Sequence, residues 1–311
     1  MRSAVLFTLL TFFTISAFSA GTPAYDFLRA DVSARAAALG GSFLAMSGDP
    51  NLLYYNPAGL ATLTQTRLSF GFFKHLMDIN AGHATYATEI KGLGSIAAGV
   101  LYTNYGSFKQ VDENGVESGT FGAGDFAATA GFANNLRNNL SYGVSAKFIY
   151  SSIAGYSSTA AAVDFGLRFN AIPERMVLAA SLLNVGTQLD PYLTTRDDLP
   201  MDLRVGFMLT PEHLPAMILF DLHDLTHSGL TVMERLKQFT VGVEFTTESN
   251  LHLRFGYNNS ERTDFKIGSG AGLAGLSIGG GITTGNYTVD YAFNSLGKVG
   301  ALHRISVGMG I

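Results

Sequence analysis

The sequence predicts an all-β protein: a transmembrane antiparallel β-barrel of about 14 strands with an N-terminal plug segment. Three observations predict it. An export signal is followed by no second apolar run long enough to be a membrane helix. Charged residues make up 14% of the chain, against roughly 25% in ordinary globular domains, while Gly (36), Phe (23) and Tyr (13) are abundant. The remainder of the chain repeats short segments that alternate apolar and polar side chains, and a closed barrel is the other structure able to satisfy its backbone inside lipid.

Taken in order, residues 1–20 read as a signal peptide. Arg2 gives the positive start, Ala4 to Ile15 the apolar core, and Ala17-Phe18-Ser19 a small-x-small cleavage site. The mature chain is therefore expected in the outer membrane of a bacterial cell. It has no Cys, so packing and hydrogen bonds hold it without disulfides. A net charge of −4 argues against nucleic acid as a partner.

Residues 21–66 form the expected plug or hatch, with Asp31 to Ala61 at its centre. Ala30 to Leu39 has helix-forming spacing and Gly40-Gly41 supplies a stop. A short apolar run follows at Ser42 to Met46, then breaks at Gly48-Asp49-Pro50 and Asn56-Pro57. The segment is too apolar for water and too broken to cross a membrane by itself, so it is expected inside the barrel or against its mouth.

Residues 67–311 are the barrel. Phe239, Val241, Val243 and Phe245 alternate with Thr240, Gly242, Glu244 and Thr246, and the same pattern recurs at 201–210, 251–258 and 303–311. The expected strands are 67–76, 81–91, 95–104, 120–133, 140–151, 159–170, 177–185, 201–210, 216–222, 237–247, 250–259, 267–283, 286–294 and 302–311. Short links (92–94, 134–139, 171–176, 211–215, 248–249, 284–285) alternate with longer ones, including 105–119, 186–200 and 223–236. Outer-membrane barrels place short turns in the periplasm and long loops outside.

The charges inside strands fall mostly on the polar face: Lys147, Asp164, Arg168, Asp202, Arg204, Glu244, Arg254, Asp290 and Arg304, with Glu89 nearer a rim. Both signs are equally represented, which predicts paired charges that fill a lumen rather than an ion-selective lining. Several motif matches carry no chemistry. Gly270 to Gly275 fits a dinucleotide pattern without its strand-to-helix context. Gly275 to Gly279 fits a nucleophile elbow with no helix after it, and Ser295 to Lys298 fits SxxK in a loop. Asp221-Leu222-His223-Asp224 and His227 have metal-ligand types, but strand alternation separates them. No catalytic, cofactor-binding or metal residue is assigned, and no enzyme is expected.

Ser33-Ala34-Arg35-Ala36-Ala37-Ala38-Leu39-Gly40-Gly41, followed by Asn56-Pro57-Ala58, resembles the N-terminal signature of FadL-like barrels of the PorV/PorQ family. Later stretches are similar to its PorQ-like branch: Tyr102 to Phe108, Gly119 to Phe121, Lys147 to Ser151, Asn184 to Leu189, Phe255 to Asn258 and Ser269 to Gly275. The resemblance spans nearly the whole mature chain. It implies a non-enzymatic outer-membrane component of a type IX secretion system, embedded in outer-membrane lipid. Its implied partners are a PorZ-like protein and the cargo-attachment complex with PorU and PorV. The plug motif would then be Ser33, Arg35, Gly40, Gly41, Asn56, Pro57 and Ala58.

Two functions compete. A scaffold would hold a surface partner on its outer loops, where Asp112, Glu113, Tyr192, Arg196, Met233 and Arg235 are the candidate contacts. A FadL-like transporter of hydrophobic small molecules would need an apolar cavity beside the plug and a gap in the wall. A general porin fits worst, because plug and charge balance both oppose an open pore.

Overall fold

The computed structural model describes residues 24–74, 79–113, 115–227, 229–266, 270 and 272–311. The expected signal peptide at 1–20 lies outside these residues, as do Asn114, Ser269 and Ala271. Among the described residues fourteen strands close into one antiparallel barrel, each paired with its neighbours in sequence and the first with the last. They are β1 (Arg67–Lys74), β2 (Asn80–Ile90), β3 (Gly94–Val111), β4 (Glu117–Arg137), β5 (Leu140–Ile153), β6 (Tyr156–Ile172) and β7 (Met176–Asp190). The second half is β8 (Asp202–Leu209), β9 (Ala216–Leu222), β10 (Phe239–Thr246), β11 (Leu251–Asn258), β12 (Leu276–Thr284), β13 (Tyr287–Ser295) and β14 (Ala301–Gly310). Closure leaves no strand edge inside the wall, which is the condition for a sheet in lipid.

The two faces separate as the alternation requires. Along β5, Ser141, Ser145, Lys147 and Ile149 are buried while Tyr142, Val144, Phe148 and Tyr150 are exposed to the bilayer side. On β8, β11 and β14, Val205, Phe255 and Ile305 face out and Asp202, Arg254 and Arg304 face in.

Three expected boundaries are corrected. The helix is only α1 (Ala34–Ala38), because Ser33 caps it and the chain before it is a 3₁₀ turn, Asp26–Arg29, and an extended stretch. The expected loop 105–119 is mostly strand: β3 and β4 run on as a two-stranded ribbon with its turn near 112–116. Of the expected strand 267–283, residues 267–269 and 271 lie outside the described residues and the described strand is β12 from Leu276; α3 (Asn259–Asp264), capped by the Asn258 side chain, precedes it. Link lengths also alternate less strictly than expected. The β5–β6 link at 154–155 is short although it lies at the long-loop end, because both strands extend beyond the wall. At about 3.3 Å per residue and a tilt near 40°, the 21 residues of β4 rise about 50 Å, roughly twice the apolar band of such barrels.

The plug enters from the long-loop end, which outer-membrane barrels turn outward, and leaves near Thr66 at the short-turn end. Its Phe43, Leu44, Met46, Leu52, Leu53 and Leu60 are fully buried and form one core with the inward Ala127, Ile149, Ala160 and Leu219. Two 3₁₀ turns, Pro50–Tyr54 and Pro57–Thr62, carry much of it; Asp49 and Asn56 cap them through the amides of Asn51 and Ala58. The plug backbone sits directly on the wall at two places where the wall has no side chains. Gly242, Gly256 and Gly279 receive Ala38 to Gly40, and Gly131, Gly143 and Gly166 receive Leu53 to Ala58. A Cβ on Gly256 would overlap the Gly40 amide, and one on Gly143 would overlap the Pro57 carbonyl group. Gly40 itself has φ 67°, a conformation that turns the chain out of α1 at little steric cost.

Overpacking a rigid backbone contact costs about 1–3 kcal/mol. Gly256→Val and Gly143→Val should each lower the melting temperature and raise single-channel conductance by displacing the plug. Gly285→Val at an open turn is strained by its own φ, yet it should leave conductance unchanged.

Candidate functional site

Ion pairs tie the plug to the wall at the short-turn end. Arg35 donates from Nε to Glu244 at 2.9 Å and from Nη2 at 2.7 Å, and its Nη1 lies 3.4 Å from Asp49. Glu244 also accepts from Arg254 at 2.5 Å, and Arg254 reaches Asp290 at 2.6 Å over Gly281. This chain of charges is almost wholly buried, so each member needs its neighbour.

At the outer half, Asp221 accepts from the amides of Phe43 at 2.8 Å and Leu44 at 3.0 Å, and Asp224 pairs with Arg29 at 3.2 Å. Both acids belong to the run that reads as metal-ligand types in sequence; the plug occupies them instead. Asp221 lies on β9 and Asp224 in the loop that follows it.

The remaining lumen charges divide. Lys147 pairs with Asp164 at 2.9 Å across β5 and β6, and Arg204 with Asp202 at 2.6 Å along β8. Among the described residues Arg168 and Arg304 have no carboxylate partner and donate to Asn170 and Asn294 instead. Of the plug motif, Ser33 caps α1, Asn56 donates to the Leu44 and Leu167 carbonyls, and Gly41 packs near Asp31. Of the loop candidates, Asp112, Glu113, Arg196 and Met233 are exposed. Tyr192 donates to Ser151, and Arg235 in α2 (Val232–Arg235) donates to the His227 carbonyl.

Chambers lie at both ends of the lumen. The outer one holds about 760 Å³ and opens to solvent; beneath it an inner one of about 180 Å³ reaches Gly41 and Arg304. A third, of about 290 Å³, lies at the short-turn end around Arg35, Asp49 and Asp290. Between the ends, beside Tyr54 and Tyr55, there remains a crevice of about 10 Å³.

The wall is thin at one place. Thr85, Gly99, Thr129 and Lys147 form a single inward row across β2 to β5. Gly99 has no side chain, and the Tyr54 hydroxyl fills the space a Cβ would take, near Thr85 Oγ1 at 3.4 Å. On the lipid side the rows above and below are mostly alanine, Ala84 and Ala128 with Val100 between them and Ala98, Ala130 and Ala146 in the other. Flanked by Phe70, Tyr86 and Phe148, they leave an apolar hollow of about 660 Å³ open to the bilayer. The hollow and the internal crevice share Thr129 and Lys147. Sequence reasoning missed Gly99, Tyr54 and the glycine seats; the signal available was glycine at inward parity on adjacent strands.

No protein-family model and no curated protein matches the sequence. Solved structures do match the fold, and they are FadL-type outer-membrane barrels. The Pseudomonas putida toluene transporter TodX is 13% identical with a TM-score of 0.61, over 89% of this chain and 96% of that one. The Ralstonia pickettii toluene transporter TbuX is 12% identical with a TM-score of 0.61, over 89% and 96%. A Pseudomonas aeruginosa FadL homologue is 10% identical with a TM-score of 0.54, over 90% and 98%. At these identities the shared property is the barrel fold, and none of these three separates a PorQ-like chain from other barrels of this fold.

Removing one partner of a buried ion pair costs about 3–5 kcal/mol. Arg35→Ala should fall near the low end, because Glu244 keeps Arg254, and should lower the denaturant midpoint. Lys109→Ala, which breaks the exposed pair with Glu117, should cost under about 1 kcal/mol. Equal losses in the two variants would contradict the buried latch.

Proposed function

We propose that the chain is an outer-membrane channel for small apolar molecules, held shut by its plug. In this reading solutes pass between lumen and bilayer through the β2–β5 wall at Gly99. The observation that carries it is the thinned wall. An apolar hollow outside and a crevice inside share Thr129 and Lys147 in their linings, and Tyr54 of the plug takes the place left by Gly99. The FadL-type fold supports the same reading, since two of its solved neighbours are toluene transporters. Opening needs the Tyr54 ring to withdraw and the strand pairing beside Gly99 to part, because Thr85, Gly99 and Thr129 stand in unbroken register.

A second reading rests on a different observation. The crevice beside Tyr54 and Tyr55 in the lumen is about 10 Å³, and the outer rim is tall on the β3–β7 side. A filled barrel with a tall rim suits a scaffold of a type IX secretion system that retains a PorZ-like partner near PorU and PorV.

Uptake of radiolabelled toluene into proteoliposomes tests the first reading. The native chain should admit it faster than protein-free vesicles, Tyr54→Ala faster again, and Gly99→Leu should fall towards the vesicle background. No uptake by either native protein or Tyr54→Ala overturns the channel. Replacing loops 112–116, 191–201 and 223–238 singly by Gly-Ser turns tests the second: one swap should abolish surface retention of the partner while the barrel stays folded.

A further inference from the structure

The inward row that crosses the wall at Gly99 is unevenly hydrogen-bonded. Thr85 donates to Asn51 at 3.1 Å, and Lys147 is engaged by Asp164 at 2.9 Å and by Asn184 at 2.7 Å. Thr129 stands between Gly99 and Lys147 and is only 4% exposed, yet its hydroxyl has no partner among the described residues. It lines the crevice beside Tyr54. A buried hydroxyl without a partner is a standing cost, relieved by whatever comes to bond it.

The adjoining position already holds a phenol. The Tyr54 ring takes the space of the missing Gly99 Cβ, with its hydroxyl 3.4 Å from Thr85 Oγ1 and 3.5 Å from the Val100 carbonyl oxygen. Both separations exceed the roughly 2.7–2.8 Å usual between hydroxyl and oxygen, so the hydroxyl holds the ring only weakly. Gly99 itself pairs with Thr85 on one side and Thr129 on the other. Parting either ladder leaves backbone N–H and C=O groups unpaired at membrane depth, where no water replaces the lost partner. A bare hydrocarbon in the gap relieves neither these groups nor Thr129. A ring bearing a hydroxyl can donate to a carbonyl and accept from Thr129 at once.

We propose that the opening at Gly99 selects phenols, single rings carrying one hydroxyl, over hydrocarbons of the same shape. Such selection rests on the channel proposed above and names its substrate class. The ligand's ring takes the seat of Tyr54 as that side chain withdraws. Its hydroxyl bonds Thr129 and the Val100 carbonyl that Tyr54 leaves.

Competition against radiolabelled toluene uptake in proteoliposomes tests the selection, with unlabelled p-cresol and p-xylene as competitors. The two share one ring and differ by a hydroxyl against a methyl group; p-cresol is also the tyrosine side chain itself. The measured quantity is the ratio of their half-inhibitory concentrations, compared between variants in vesicles of one composition, so that partitioning into lipid cancels. Thr129→Val keeps the side-chain shape and should move the ratio about fivefold against p-cresol, as the loss of one hydrogen bond implies. Ser181→Ala removes another buried hydroxyl without a partner, on β7, and should leave the ratio unchanged. Tyr54→Ala empties the phenol seat and should move the ratio about fivefold towards p-cresol. With toluene uptake present, the selection is overturned by a ratio that Thr129→Val leaves at its native value, or by an equal shift in Ser181→Ala. Should Thr129→Val not insert as a folded barrel, a ratio that Tyr54→Ala leaves at its native value overturns it instead. The channel survives each of these results. Absence of toluene uptake by both native protein and Tyr54→Ala removes the channel and the selection together.

Discussion

The structure depends on backbone-to-backbone contact between plug and wall. A barrel of fourteen strands encloses more space than its own side chains fill, and here a separate segment fills it. The plug is made of short turns rather than long helices, so its backbone must come within van der Waals distance of the sheet. Glycine at inward positions on adjacent strands allows that. The seat at Gly242, Gly256 and Gly279 fixes the end of α1, and the seat at Gly131, Gly143 and Gly166 fixes the 3₁₀ turns. With both ends held, the apolar plug residues between them have one packing arrangement.

Charge supplies orientation where packing alone would not. Isolated ions in this interior would cost several kcal/mol each, so most acids and bases occur as linked groups, while Arg168 and Arg304 donate to amide oxygens. Arg35 closes the short-turn end through Glu244, and Asp221 closes the outer half through two plug amides. The plug is thus bound by two cations it supplies, Arg29 to Asp224 and Arg35 to Glu244, and by one wall carboxylate, Asp221, that accepts its amides. Around the outer chambers the described lining residues include more acids than guanidiniums.

The barrel was legible in the sequence because a strand's two faces see different solvents. Phe255 beside Arg254, and Ile305 beside Arg304, state the orientation of their strands without reference to anything distant. Strand ends were less legible. Beyond the bilayer the β3–β4 ribbon is exposed on both faces, so its alternation carries no in-or-out signal and 105–111 resembles a polar loop. Ser33 and Gly40 mark the ends of α1 locally, but five helical residues are too few to give a periodicity. The candidate site was the least legible. Tyr54 closing the wall at Gly99, or Asp221 holding Phe43, joins residues 45 and 178 positions apart, and no local pattern encodes such a contact.

Whether the plug occupies the lumen is decided by one measurement in a chain that contains no cysteine. Ser42 of the plug and Thr240 of β10 meet through their hydroxyls at 2.9 Å. Thiols placed there in Ser42→Cys/Thr240→Cys should join on mild oxidation of the native protein in its membrane. Intact mass should then fall by the two hydrogens lost, with both thiols unreactive until reduced. Two free, titratable thiols after oxidation of a folded barrel would contradict a plug seated against the wall.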